Sequence, residues 1–288
     1  MLSPFRTSKF TIKWKHIGKF NHSYNQVFSK IKNVTAIDLP SNFLSRMALL
    51  ENERKIVFCD FDDQSLKVID FNGAFLGSFN PNSIFDSPYA ICSNKYDDIY
   101  VADQIKKKIF VLNSDIQLKF EFTHNLIKMP YSMVIDNYQN YLFVSDWRNN
   151  IITIWNAENG SFISEMKVFS PLHINLNKKK KLFITSIECI LVYDTEKFNF
   201  LNKIQINNWT NLRGLCFDYD EINFMVIARE NKMYSQSQCL FVFSETGELL
   251  QITELNNTKF IDFCVIERNQ IICIRGSNKP SIYLFTFK

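Results

Sequence analysis

One motif returns three times at a fixed interval in the first half of the chain, and it limits the fold more than any other feature. An apolar run ending in aspartate occurs as Ile56-Val57-Phe58-Cys59-Asp60, Ile99-Tyr100-Val101-Ala102-Asp103 and Tyr141-Leu142-Phe143-Val144-Ser145-Asp146, so Asp60, Asp103 and Asp146 stand 43 residues apart. Each run is followed by a second: Leu66-Lys67-Val68-Ile69-Asp70, Ile109-Phe110-Val111-Leu112 and Ile151-Ile152-Thr153-Ile154-Trp155. A third run completes each copy: Gly73-Ala74-Phe75-Leu76, Leu118-Lys119-Phe120 and Gly160-Ser161-Phe162-Ile163. Another precedes the second and third copies, at Pro88-Tyr89-Ala90-Ile91-Cys92 and Pro130-Tyr131-Ser132-Met133-Val134. A self-similar period of this size marks a chain built from stacked supersecondary units.

Three weaker copies follow. One holds Pro171-Leu172-His173-Ile174, Leu182-Phe183-Ile184-Thr185-Ser186 and Ile190-Leu191-Val192-Tyr193-Asp194. The next holds Leu212-Arg213-Gly214-Leu215-Cys216, Phe224-Met225-Val226-Ile227-Ala228, Leu240-Phe241-Val242-Phe243 and Gly247-Glu248-Leu249-Leu250. The last holds Ile261-Asp262-Phe263-Cys264-Val265, Ile271-Ile272-Cys273-Ile274-Arg275 and Ile282-Tyr283-Leu284-Phe285.

Short runs rich in Ile, Val, Phe and Tyr between polar turns read as strands. Four strands per unit, here a to d, at this period predict an all-β, six-bladed β-propeller forming a single domain over residues 1–288. The physical reason is that one small twisted sheet cannot bury both faces, whereas radially packed neighbours can. The last unit has no fourth strand. Phe10 to Ile17, followed by Gly18-Lys19-Phe20, resembles a d strand and is expected to complete that blade, closing the ring and removing a sheet edge. The first unit then starts near Arg46-Met47-Ala48-Leu49-Leu50, and residues 21–43 become a long connecting loop.

The pattern resembles the NHL repeat: Pro-x-small, then apolar-Tyr/Phe-Val-Ala-Asp, then apolar-x-Val-Phe, then Gly-x-Phe. Tyr100-Val101-Ala102-Asp103 and Phe143-Val144-Ser145-Asp146 match it best. In the later units Ser186, Arg229 and Arg275 replace the Asp. The resemblance implies a six-bladed propeller that binds proteins or RNA. The WD repeat fits less well, because neither its Gly-His nor its Trp-Asp recurs.

Composition narrows the function classes. A net charge of +4 is too mild for a dedicated nucleic-acid binder. With 28 Phe but only 7 Gly and 7 Pro, the turns must run on Asn, Asp and Lys. The 7 Cys lack CxxC spacing, and Cys59, Cys92, Cys216, Cys264 and Cys273 sit in apolar runs, which reads as reduced, buried thiols. No apolar run reaches the roughly 18 residues of a membrane span. Met1 to Phe20 lacks a secretory h-region. It is basic and free of acids, like a transit peptide, but Phe10, Ile12 and Trp14 alternate at strand period. The expected compartment is cytoplasmic, with mitochondrial as the alternative, and no membrane association is expected.

Asp60, Asp103 and Asp146 recur at the ends of b strands and read as turn formers bonded to backbone N–H groups. The b–c and d–a connections emerge on one face. That face gathers Gln104, Lys106, Lys107, Lys108, Trp147, Arg148, Trp209, and Tyr89, Tyr131 and Arg213 from the starts of a strands. Trp, Tyr and Arg suit a protein hot spot, and beside Lys they also suit stacked bases on a phosphate backbone. Lys178 to Lys181 fall in an a–b turn on the opposite face and read as solvated. His173 lies where an a strand meets the central channel, with Ala90, Ser132 and Gly214 at the matching positions; Asp262 or Glu188 is the nearest thing to a partner. No metal, cofactor or nucleophilic triad is expected from this set. The sequence therefore predicts a monomeric, non-catalytic interaction module with a protein partner. RNA binding through the same face is the alternative, and a metal-dependent hydrolase or lactonase the third reading.

Overall fold

The period of 43 residues becomes a ring of four-stranded antiparallel blades. The computed structural model describes residues 31–39, 41, 43–230, 238–255, 260–267, 270–275 and 281–287. The first described strand, β1 (Ile31–Asp38), belongs to the last blade. Blade 1 is β2 (Leu44–Leu50), β3 (Lys55–Asp60), β4 (Ser65–Asp70) and β5 (Phe75–Phe79). Blade 2 is β6 (Pro88–Ser93), β7 (Ile99–Asp103), β8 (Lys108–Leu112) and β9 (Leu118–Thr123). Blade 3 is β10 (Pro130–Asp136), β11 (Tyr141–Asp146), β12 (Ile151–Asn156) and β13 (Phe162–Lys167). Blade 4 is β14 (Ile174–Leu176), β15 (Lys181–Thr185), β16 (Cys189–Asp194) and β17 (Phe200–Gln205). Blade 5 is β18 (Trp209–Phe217), β19 (Asn223–Glu230), β20 (Gln238–Ser244) and β21 (Leu249–Glu254). Blade 6 is β22 (Phe260–Glu267), β23 (Gln270–Arg275) and β24 (Ser281–Phe287), with β1 on its outer edge. A single 3-10 turn, Pro81–Ser83, is the one helical element among the described residues.

Among the described residues the apolar core is divided into six clusters, each shared by two neighbouring blades. Phe58 and Ile69 of blade 1, for example, pack with Ile272, Ile274 and Ile282 of blade 6. The abundant Phe fills these wedges: Phe183 of blade 4 meets Phe217 of blade 5 edge-on at 5.1 Å, and Phe85 meets Phe110 at 5.4 Å. Edge-to-face geometry places the positive ring edge on the negative face of its neighbour. The outer strands are half exposed, as in β5, so their patterns are weak in the sequence.

Two expectations about the N-terminal region are corrected. The strand that closes the ring is Ile31–Asp38, paired antiparallel with β24 from Ile31↔Phe287 to Asp38↔Ser281. The expected strand Phe10–Ile17, with Gly18-Lys19-Phe20, lies outside the described residues. The expected long connection over residues 21–43 is cut short, since β1 occupies residues 31–38 of it. The stronger alternation of Phe10, Ile12 and Trp14 outweighed Ile31–Asp38, whose period is diluted by Lys32, Asn33 and Thr35. Ile37 and Leu39 anchor this region by packing into the core between blades 6 and 1.

The turns follow the composition. Asn94 Oδ1 accepts the N–H groups of Tyr96 and Asp98, and Asn113 Oδ1 those of Asp115 and Gln117. Lys107, Asn140, Asn150 and Lys180 take the positive φ that glycine would usually supply. Cys59, Cys92, Cys216 and Cys239 are buried free thiols, while Cys189 and Cys264 are half-buried. Burial pushes the thiols of Cys216 and Cys239 up to about 12.

Candidate functional site

The inner strands β2, β6, β10, β14, β18 and β22 surround the channel, and each blade places one polar or aromatic side chain at its head. These are Arg46, Tyr89, Tyr131, His173, Arg213 and Asp262. In five of the six blades the ladder register shifts at or beside this residue: between Leu44 and Met47, Pro88 and Ala90, Pro130 and Ser132, Arg213 and Leu215, and Phe260 and Asp262. An extra residue in one strand bends it and re-aims a side chain. Gly214 serves this local bend at φ +58°, and a Cβ there would stand 2.5 Å from the Phe263 ring.

The ladder keeps the expected alignment of His173 with Ala90 and Ser132: the His173 N–H bonds Thr185 Oγ1 as that of Ser132 bonds Ser145 Oγ, and Asp262, opposite Ile274, takes the same place in blade 6. Tyr89 and Tyr131 reach the ring from one residue earlier, at the register shift. Glu188 is exposed in a b–c turn and takes no part.

Arg46 ties the ring together. Its Nε donates to the Tyr131 carbonyl at 3.2 Å, reaching past blade 2, and its Nη1 donates to the Ser45 carbonyl at 2.9 Å. The guanidinium lies 4.3 Å from the Tyr131 ring centroid and 5.4 Å from that of Tyr89, both cation–π distances. Tyr131 in turn meets the His173 ring edge-on at 5.4 Å. Arg46 is 5% exposed, His173 3% and Asp262 7%. Two polar atoms of the ring, Arg46 Nη2 and His173 Nε2, have no hydrogen-bond partner among the described residues.

Burial, with Arg46 and Arg213 nearby, holds the His173 pKa well below its ordinary value, so the imidazole is neutral. Its Nδ1 stands 3.8 Å from Asp262 Oδ1, beyond hydrogen-bond reach. Burial raises the Asp262 carboxyl from 3.8 to about 6, against the pull of Arg46 and the Phe263 N–H. A carboxyl whose folded pKa is raised loses stability as pH climbs from the unfolded value through the folded one. Asp262→Asn should therefore be the more stable chain at pH 7, by roughly 3 kcal/mol. The gap should close below about pH 3, where Asp262 is protonated in both states. Denaturant unfolding of the two chains across this range measures it. A gap that is flat with pH would contradict a charged, buried Asp262.

The loops around the channel mouth are joined by the recurring aspartates. Asp103 accepts the N–H groups of Asp86 and Ser87 from the d–a loop and of Ile105 and Lys106 from the b–c turn. Asp146 likewise joins Lys128 and Met129 to Asn149. Where Ser186 replaces the Asp, its hydroxyl donates to the Phe169 carbonyl instead. These bonds bear out the reading of the aspartates as turn formers, and they also tie the two loop sets together.

The sequence-derived site residues separate into groups. Tyr89, Tyr131 and Arg213 are half-buried and belong to the ring, with Tyr89 and Tyr131 5.7 Å apart. Gln104 donates to the Pro130 carbonyl beside Tyr131. Lys106 pairs with Asp86, and Lys108 with Glu121 on the outer strand β9. Lys107 is exposed, and Trp147 and Arg148 are exposed with the guanidinium 5.3 Å from the indole. Trp209 packs edge-on against Phe241 and serves the core between blades 4 and 5. On the opposite face, Lys178 pairs with Glu221, Lys180 with Glu196, and Lys179 and Lys181 with Glu245.

Sequence reasoning passed over Arg46, which it had placed only at the start of a unit. Beside Trp147, which it had named, it missed the rest of an apolar set on the channel-mouth face: Phe43, Ile105, Phe169 and Ile187 are all exposed there.

No family profile matches the sequence, and no curated protein is similar to it. The fold is widely shared. Hydrazine synthase from Kuenenia stuttgartiensis superposes with a TM-score of 0.66 at 12% identity, over 82% of this chain and 75% of that one. A streptogramin B lyase superposes with a TM-score of 0.63 at 11% identity, over 87% of this chain and 96% of that one. At such identity the likeness extends to the propeller alone, a scaffold that hosts many functions. None of the helices among the described residues is long and apolar enough to cross a membrane.

Proposed function

We propose that the chain is an NHL-like propeller acting as a non-catalytic protein-binding module through the face of b–c turns and d–a loops. The observation that carries this reading is the exposed apolar set on that face, with Ile105 63% and Phe169 71% exposed. Apolar groups ringed by polar ones are what a protein partner desolvates. The charge around them is mixed: Asp62, Asp86 and Glu188 lie on the same loops as Lys106, Lys107 and Arg148. That mixture favours protein over RNA, whose backbone calls for a continuous positive track. The buried free thiols suit a reducing, cytoplasmic setting.

The test uses the chain as bait in extract of its own cells. Ile105→Asp with Trp147→Asp should weaken partner binding by roughly 2 kcal/mol or more, the scale of a hot spot. Tyr138→Asp, on the opposite face, should leave it intact. Single-stranded RNA should show no strongly salt-dependent binding. The reading fails if no protein distinguishes the two variants. It also fails if RNA binds with a steep salt slope that Lys107→Glu plus Arg148→Glu abolishes.

A further inference from the structure

The charges of the loop face are mixed in number but not in place. In blades 2 and 3, Lys106 is held by Asp86 and Lys108 by Glu121. Lys107, Lys128, Arg148 and Lys167 are exposed there and make no ion pair among the described residues. Hydrogen bonds gather the four into one arc. Thr123 Oγ1, at the end of β9, donates to the Lys107 carbonyl, and the loop carrying Lys128 departs from that strand end. Asp146 accepts the Lys128 and Met129 N–H groups, which sets Lys128 against the turn of Trp147 and Arg148. Asn150, in the same turn, accepts the Val168 and Ser170 N–H groups, which brings in Lys167 and Phe169.

We propose that this arc docks an acidic peptide segment of a partner protein, with bulky apolar side chains between its carboxylates. The inference rests on the loop face being a protein-binding surface, and it names the chemistry of the chain bound there.

Charge complementarity selects the acidic residues. Near the arc, Glu165 is the one exposed carboxylate without an ion pair among the described residues, and it stands on β13 below Lys167, opposite Thr153. Four free cations therefore face one free carboxylate. Asp62 in blade 1 and Glu188 in blade 4 are exposed on either side. An acidic segment is drawn to blades 2 and 3 and repelled at both flanks, which fixes its place on the ring. Arg148 adds a planar fork that suits a carboxylate.

The apolar side chains select the rest. Each stands beside a cation in the chain: Ile105 before Lys106 and Lys107, Trp147 before Arg148, and Phe169 two residues after Lys167. An interleaved surface matches an extended segment, whose successive side chains alternate in direction. A folded partner would instead call for a continuous apolar centre with a polar rim. RNA is disfavoured, because Ile105 has no π face on which a base could stack and the acids at both flanks break the phosphate track.

Selection of a random dodecapeptide library against the full chain tests the proposal. Enriched peptides should be rich in Asp and Glu interleaved with Trp, Phe or Leu. Fluorescence polarisation then measures the binding of one labelled enriched peptide. Lys128→Glu with Arg148→Glu should weaken it by about tenfold or more, a change of about 1.4 kcal/mol. Lys95→Glu with Lys197→Glu makes the same change of net charge on the opposite face and should leave the affinity within about twofold, as expected for screened, distant charges. Raising the salt from about 50 to about 300 mM should weaken binding several-fold. In the unmodified chain the Trp147 indole resonance should shift on adding peptide, a readout that needs no variant. The proposal is overturned if no peptide is enriched, if the two charge reversals weaken binding equally, or if the Trp147 resonance is unmoved at saturation. Polyuridylate binding more tightly than the peptide at about 150 mM salt would give the arc to nucleic acid and overturn it too. Enriched peptides that are neutral or basic, yet lost from the Ile105→Asp, Trp147→Asp chain, would sink this inference alone and leave the protein-binding reading standing.

Discussion

A chain starting at residue 39 should lose its monomeric, cooperative fold. Without β1, the whole of β24 from Ser281 to Phe287 becomes an unpaired edge, a template for pairing with another chain. Ile37 also leaves the core between blades 6 and 1, where it packs with Ile282, Leu284 and Phe71. A buried Ile contributes roughly 2–5 kcal/mol once its cavity is counted, and the lost ladder adds to that. The thermal midpoint should fall by at least about 10 °C, with concentration-dependent association in solution. The milder Ile37→Asp chain should show the same direction, because it places an unpaired charge in that core. Calorimetry and sedimentation measure both. A truncated chain that stays monomeric and melts as the full one does would mean that β1 does not seal the ring.

Asp103→Ala should cost about 3–5 kcal/mol, the larger of the effects expected from a single polar substitution. Its fully buried carboxylate accepts four backbone N–H groups, at 2.8 and 2.7 Å from Asp86 and Ser87 and at 3.0 and 2.8 Å from Ile105 and Lys106. Alanine leaves these donors without their acceptor. Asn cannot repair the loss, because its amide would turn a donor towards donors. Asp194→Ala is the control: that carboxylate also accepts three backbone N–H groups, but water can replace it at the surface. Its cost should stay near 1 kcal/mol. Denaturant unfolding of the two variants gives the comparison, and equal costs would contradict the role of burial.

The blades were readable because their b and c strands are buried on both faces. Runs such as Ile56–Asp60 and Ile151–Trp155 then appear as unbroken apolar segments at a constant interval. The outer strands were less so: β5 exposes much of its surface, and Ile31–Asp38 carries too little apolar alternation to compete with Phe10–Trp14. The ring was half legible. Tyr89, Tyr131, His173, Arg213 and Asp262 were each singled out by chemistry, but Tyr89 and Tyr131 enter the ring from the residue before the place that His173 and Asp262 occupy. A shift in ladder register leaves no trace in spacing when the connecting loops also vary in length. Stacking the first a strand on Ser132-Met133 would have placed Arg46-Met47 in the same column. The exposed apolar loop residues were missed because an Ile or Phe beside a turn reads as the end of a strand.

The register shift at the head of the inner strands has an evolutionary implication. A side chain at such a point contributes little to the ladder that holds its blade together, so it can be exchanged with little disturbance to the frame. Repeated in five of the six blades, this sets side chains pointing at one another across a narrow lumen. Selection can rewrite the chemistry of the lumen one residue at a time while duplication and drift work on the walls. Such a partition suits a fold that this chain shares with hydrazine synthase and a streptogramin B lyase at only 12% and 11% identity.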